Sequence, residues 1–180
     1  MRKFKGLLVM TILATLLVGC NRSDFFVFTE DITQEVPVAI TANTNGECLD
    51  YTETGTFNLR SNSEFDNNYS SVTKIEINSI TWEITDYVGD DGVYLNSGSL
   101  KFGTTSFEIG KVDLKAADTA NEAFVITDAT KLVAISTAIR SSGSITVTLE
   151  ASSGGNCDND FSYTLKVTAN VKFIGATTST

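Results

Sequence analysis

The chain has 180 residues, 42% hydrophobic and 19% charged, which is enough for one domain with a sizeable core and is not typical of a disordered segment. It contains no histidine, which excludes Ser-His-Asp catalysis and histidine-based zinc sites. Its 22 acidic residues outnumber the 13 basic ones, so no nucleic-acid partner is expected, because phosphate backbones need a basic surface.

The N-terminus has the pattern of an export signal. Arg2, Lys3 and Lys5 precede a run of low polarity that extends from residue 7 to residue 18. As a helix this run is about 18 Å long, whereas a bilayer core is about 30 Å thick, so it is too short to span a membrane comfortably. A basic flank followed by a short apolar run is typical of a cleaved signal peptide.

The apolar run ends in Leu17-Val18-Gly19-Cys20, which resembles the lipobox of bacterial lipoproteins: a leucine three residues before the cysteine and a small residue directly before it. The resemblance implies that Cys20 receives a diacylglyceryl group, with palmitate as an acyl chain, and becomes the N-terminus after cleavage. The chain then divides into a signal peptide (1–19), a lipidated tether (20–30) and one domain (31–180).

The resemblance also implies a location in the cell envelope. Asn21 follows the cysteine, where an aspartate would favour the inner membrane in enterobacterial sorting, so the outer membrane is expected. After removal of the segment with Arg2, Lys3 and Lys5, the chain would have 10 basic and 22 acidic residues. Acidic lipids repel such a body, so the lipid anchor must provide its contact with the membrane.

Alternating apolar residues predict a series of short strands in the first two thirds of the domain. Pro37 confines its strand to an edge or to a strand start. The apolar positions change parity at Asn78-Ser79 and again across Gly110, which predicts a β-bulge or a crossing between sheets at each place. The candidate strands are 25–28, 36–40, 54–59, 75–84, 100–102 and 107–114.

One segment has helical spacing instead. Leu132, Ile135 and Ile139 fall on one stripe of a helix near 128–142. Thr127 or Asp128 can cap its start and Gly143 can end it. The β-branched residues in this segment leave a strand as the alternative.

The most regular pattern lies near the C-terminus. From Phe161 to Phe173 every odd position is apolar and every even one polar, and 145–150 has the same alternation. These two segments predict an antiparallel hairpin with a long polar loop. The fold class is therefore all-β: an antiparallel β-sandwich of about seven to nine strands, Ig-like or Greek-key, with one short helix. A small β-barrel is the alternative.

The remaining cysteines predict a disulfide. With Cys20 taken by lipid, Cys48 and Cys157 form an even pair in an exported chain, and their Cα atoms must then lie within about 4.4–6.8 Å of each other. The bridge would bring the starts of the 54–59 and 161–173 strands to one end of the sandwich. It would also gather four acids that could supply oxygen ligands to calcium. These are Glu47, Asp50, Asp158 and Asp160.

A second acidic group could bind glycans. Asp86, Asp90 and Asp91 lie beside Tyr87 and Tyr94, and acids with aromatic rings can stack on and hydrogen-bond to sugars, although the group also fits an ordinary turn.

No catalytic motif is found. The sequence contains no nucleophile elbow, P-loop or dinucleotide fingerprint, and alternation places Glu83 on a wet strand face. We therefore expect no enzyme but a non-catalytic binding or structural module at the cell envelope, with an envelope protein or a glycan as partner. The expected cofactor is none besides the lipid, with calcium as an option. The alternatives are a glycan- or calcium-binding lipoprotein and, third, a carboxylate-based hydrolase.

Overall fold

A computed structural model describes residues 24–43 and 45–177, so Cys20 and the predicted signal segment lie outside the described residues. The strands are β1 (Asp24–Ile40), β2 (Asp50–Asn58), β3 (Val72–Val88), β4 (Val93–Phe102), β5 (Thr105–Ile109), β6 (Val112–Asp113), β7 (Ala123–Ile126), β8 (Ser144–Gly155) and β9 (Phe161–Thr177). The helices are α1 (Ser63–Asn68), α2 (Leu114–Ala120) and α3 (Ala129–Ser142). Among these helices none is long and apolar enough to cross a membrane.

The strands form two antiparallel sheets, which confirms the predicted sandwich over the barrel. The first sheet has the order β1-β9-β3-β7, and the second has the order β2-β8-β4-β5 with β6 paired to β4. Odd-numbered side chains of β9, from Phe161 to Phe173, are buried between the sheets, while even-numbered ones face outwards. The alternation seen in the sequence is therefore the burial pattern of the core.

The predicted hairpin between 145–150 and 161–173 is wrong. β8 lies in the second sheet between β2 and β4, and β9 lies in the first sheet between β1 and β3. The connection 156–160 crosses from one sheet to the other. Alternation reports which face of a strand is buried and not which strand it pairs with, so both segments fit the pattern equally well.

The strand irregularities agree with the sequence. β1 is an edge strand, as Pro37 requires, and its partner β9 pairs with it from Asp24–Thr177 to Ile40–Phe161. The register of β3 against β9 shifts between Ile77 and Ser79, where the parity change predicts a bulge.

The first sheet begins earlier than expected. β1 starts at Asp24, so residues 24–30 of the expected tether belong to the first sheet.

The predicted helix near 128–142 is α3. Asp128 caps its start by accepting hydrogen bonds from the backbone N–H groups of Thr130 and Lys131, and Gly143 ends it at φ 75°. Leu132, Ile135 and Ile139 are buried in the core, as the helical stripe predicts. α1 and α2 are two further short helices that the sequence analysis does not identify.

α3 is also joined to β3 by a buried hydroxyl. Ser136 Oγ accepts a hydrogen bond from the backbone N–H of Ile77 at 3.0 Å and donates one to the carbonyl of Leu132 at 2.8 Å. The helix thereby covers part of the edge of β3, which satisfies a strand N–H that has no neighbouring strand there.

The β1–β9 ladder defines the two ends of the sandwich. At one end, which we call the strand end, lie Asp24, the start of β3 and the β4–β5 turn. At the other, the loop end, three connections (41–49, 89–92 and 156–160) cross between the sheets. The ladder has 17 paired positions, so at about 3.3 Å per residue the two ends are about 50 Å apart.

Candidate functional site

A disulfide ties two connections of the loop end together. Cys48 and Cys157 are bonded with their Cα atoms 5.2 Å apart, inside the predicted window, so the predicted pairing is confirmed. Beside the bridge, Ser153 is buried and its hydroxyl accepts a hydrogen bond from the Leu49 N–H at 2.9 Å. The backbone N–H of Ser153 donates to the Leu49 carbonyl at 2.9 Å. The 41–49 connection is therefore held to 156–160 by a covalent bond and to β8 by hydrogen bonds.

The 89–92 connection joins the same surface through hydrogen bonds to 156–160. Asn159 donates a hydrogen bond to Asp90 at 2.7 Å, and the backbone N–H of Asn156 donates to the Gly92 carbonyl at 3.1 Å. Asp160 accepts a hydrogen bond from the Ala42 N–H at 2.8 Å. All three crossing connections thus meet at 156–160 and form one continuous surface.

The four acids expected to bind calcium lie at this end but have separate contacts. Glu47 is exposed and accepts a hydrogen bond from the Asn43 amide at 3.4 Å, and Asp160 is held by the Ala42 N–H. Asp158 lies beside Gly46, and Asp50 opens β2. Within 24–43 and 45–177 no three acids or cysteines are placed to hold a metal ion together. Calcium binding stays a prediction.

The acidic and aromatic group near 86–94 is built into the surrounding loops. The Tyr87 hydroxyl donates to the Asp90 carbonyl at 2.8 Å, and burial, followed by neighbouring acids, raises the pKa of Tyr87. The Lys111 ammonium lies 3.6 Å from the centre of the Tyr94 ring, and Asp91 pairs with Lys115. These contacts give both tyrosines a structural role, and glycan binding by them stays a prediction.

A half-buried tyrosine and a buried one connect the sheets beneath the loop end. The hydroxyls of Tyr51 on β2 and Tyr163 on β9 lie 2.9 Å apart. Burial raises the pKa of Tyr51 and raises that of Tyr163 well above its ordinary value. Each hydroxyl gives the other a hydrogen-bond partner at the border of the apolar core, where polar groups removed from water need one.

A polar groove on the outer face of the second sheet adjoins the loop end. Its volume is about 520 Å³, and many of its lining side chains are small. Gly98 is one of the lining residues, and a Cβ added there would meet the Glu150 carbonyl. The hydroxyls of Ser97 and Ser152 lie 3.1 Å apart on its floor. This groove was not predicted from the sequence, although the polar even positions of β8 are a signal for it. Its main lining residues are Asp50, Thr52, Ser97, Ser99, Glu108, Glu150 and Ser152.

Glu83 lies outside this surface, as its strand position predicts. Its carboxylate pairs with the Lys166 ammonium at 3.0 Å on the outer face of the first sheet. The neighbouring Trp82 is buried and stacks on Phe124 with 4.1 Å between ring centres. The tryptophan therefore belongs to the core, and the carboxylate has an ion-pair partner on the strand face.

No protein-family model matches the sequence, and no curated protein matches it. Solved structures with a similar chain course include two crystal structures of BFDV capsid protein. The decameric form aligns with a TM-score of 0.48 at 15% identity, over 82% of this chain and 99% of that one. The 60-mer aligns with a TM-score of 0.40 at 13% identity, over 86% and 97%. These values describe a general likeness in fold, and no functional conclusion follows from them.

Proposed function

We propose that this protein is a lipid-anchored, non-catalytic binding module of the cell envelope. Acylated Cys20 anchors the chain in the outer membrane. The loop end of the sandwich binds a partner protein or a glycan. The fold it rests on is a two-sheet β-sandwich whose core is filled by aliphatic and aromatic side chains.

The main support for the proposal is the position of the strand end and the loop end relative to Cys20. β1 begins at Asp24, close in sequence to Cys20, and ends at Ile40, where the connection to the disulfide begins. A ladder of about 50 Å separates them. An anchor at one end of a rigid sandwich would therefore present the tied loops away from the lipid surface.

The chemistry of the loop end favours binding by charge. Its exposed acids include Glu47 and Asp158, whereas the exposed Asp91 pairs with Lys115. A partner with a basic surface would gain favourable electrostatic attraction, which speeds association and weakens as salt is added. The disulfide and the hydrogen bonds across the three connections hold this surface in one shape, which lowers the entropic cost of binding.

Cell fractionation of a Cys20→Ala variant tests the anchor. The variant should leave the membrane fraction or accumulate as the uncleaved precursor. The Cys48→Ala, Cys157→Ala double variant is the matched control, because it removes the two disulfide-bonded cysteines and keeps the anchor. Normal maturation and membrane partitioning of Cys20→Ala would refute the proposal.

Photo-crosslinking in intact cells tests the orientation and the binding surface. A photoreactive residue in place of Glu47, Asp91 or Asp158 should give one common adduct. The same residue in place of the exposed Thr104, in the β4–β5 turn at the strand end, should not give that adduct. Adducts that form equally from Thr104, or none from the loop end, would contradict binding at this surface.

A further inference from the structure

At the strand end, two neighbouring cross-strand pairs of β1 and β9 place apolar side chains on the outer face of the first sheet. Phe25 pairs with Ala176, and Val27 pairs with Ile174. The Phe25 side chain is 71% exposed and Val27 is 57% exposed, while Ile174 is half-buried beside them. Single exposed apolar residues are ordinary, but a contiguous group of aromatic and branched side chains marks an interaction surface. We call this group the apolar tip.

Packing on the inner face holds the apolar tip in place. The Phe26 ring stacks on Phe28 at 5.9 Å between centres, and Phe28 contacts the buried Phe173 at 4.8 Å. Phe26 also lies over Gly175, where an added Cβ would overlap its ring. The aromatic contacts connect the first residues of β1 to the core, so Phe25 and Val27 are presented by ordered backbone.

Lysines border the apolar tip on the side towards the middle of the sheet. Lys74 is paired opposite Ile174 on β3, and Lys172 follows one outward position along β9. Both ammonium groups contact Glu76, and their hydrogen bonds lower the pKa of that carboxyl. Lysines beside exposed apolar side chains are typical of membrane-interface surfaces, because the stems cover apolar area and the ammonium groups stay in water.

The short length of chain between Cys20 and Phe25 limits how far the tip can lie from a lipid on Cys20. From Cys20 to Phe25 a fully extended chain reaches about 18 Å at most. A lipid on Cys20 therefore confines the tip to the vicinity of the bilayer surface, whichever course residues 21–23 take.

We propose that the apolar tip of Phe25, Val27 and Ile174 docks into the lipid surface beside the anchor, as a second membrane contact that orients the sandwich. This rests on the proposed lipid anchor at Cys20. The diacylglyceryl group supplies two acyl chains, which already give stable attachment, so the tip contributes orientation of the sandwich more than affinity. The ring of Phe25 enters the boundary between headgroups and acyl chains, the lysines stay at headgroup level, and the loop end points away from the membrane.

Fluorescence quenching by lipid-borne bromine tests the docking. The full acylated protein, purified from membranes, is reconstituted into phosphatidylcholine vesicles with brominated acyl chains. Phe25→Trp adds a reporter in the tip, and Val88→Trp is the matched control, since Val88 is 68% exposed and lies at the loop end. Trp82 sets the baseline in the unaltered protein, because it pairs with Val167, about 23 Å along β9 from Ile174.

The added fluorescence of Phe25→Trp should fall by about half or more, as expected for a ring roughly 5–10 Å inside the boundary, and that of Val88→Trp by less than about a tenth. Val27→Trp serves as a second reporter if Phe25→Trp does not fold. Equal quenching at both ends, or none in the tip, with acylated Cys20 confirmed by mass spectrometry, would overturn the docking and leave the anchor standing. A missing acyl mass would refute the anchor itself and the docking with it. A dimer in detergent that Phe25→Asp dissociates would assign the tip to a second copy and overturn the proposal.

Discussion

Replacing Ile135 by alanine should lower the free energy of unfolding by about 3–4 kcal/mol. Ile135 is 1% exposed and lies on α3 between Leu132 and Ile139, which are equally buried. The substitution removes three carbons, worth about 0.8 kcal/mol each in transfer free energy. The cavity left behind adds to this, since such truncations in packed cores cost about 2–5 kcal/mol in total.

Urea titration at neutral pH measures this loss, with Val133→Ala as the matched control on the same helix. Val133 is 65% exposed, so its truncation should change the free energy of unfolding by less than about 0.5 kcal/mol. A loss below about 0.5 kcal/mol for Ile135→Ala would refute the assignment of this stripe to the core. So would equal losses for the two variants.

Three further predictions concern the loop end and the caps. The Cys48→Ala, Cys157→Ala variant should lose up to about 4.7 kcal/mol in urea titration, because the bridge closes a loop spanning 109 positions; a loss near zero would contradict a bridge that constrains the unfolded chain. Stability should fall as pH rises above about 10, because burial raises the pKa values of Tyr51 and Tyr163, so the folded state keeps protons that the unfolded chain releases there. Tyr163→Phe should weaken that fall, and an unchanged pH profile would contradict it. Asp128→Ala should cost about 1 kcal/mol by removing the cap of α3, and a smaller loss than in an exposed Asp→Ala control would count against the cap.

The strands with clean alternation could be predicted from sequence because burial of one face leaves a period of two. β9 and the bulge in β3 follow directly from that pattern. The edge position of β1 is one of the two that Pro37 allows, the other being a strand start, because proline lacks an N–H. The disulfide could be predicted from the expected export and from the two cysteines that remain besides Cys20, since thiols pair in an oxidising compartment.

Strand partners and short helices could not be predicted in the same way. β8 and β9 are adjacent in sequence and equally alternating, yet they lie in different sheets, because 156–160 crosses the core at the loop end. α1 and α2 have six and seven residues, too few for a clear helical stripe. Their signals were the caps alone: Asn62 accepts from the Phe65 N–H, and Asp113 accepts from the Ala116 N–H.

The candidate surface was predictable only in part. The sequence places Glu47, Asp158 and Asp160 near the cysteines, and the disulfide brings their connections together. Their individual partners, such as the Ala42 N–H for Asp160, depend on loop geometry that no local pattern encodes. The sequence predicts a strand in 25–28 but not the apolar tip, because the exposure of Phe25 and Val27 depends on where β9 ends beside them.

Mass spectrometry of the protein extracted from bacterial membranes tests the lipid anchor and the disulfide together. We expect a chain that begins at Cys20, carries a diacylglyceryl group on that cysteine, and yields a peptide linked through Cys48 and Cys157 after digestion. A membrane-extracted chain with a free Cys20 thiol, or one cleaved at another residue, would contradict the lipid-anchored sandwich.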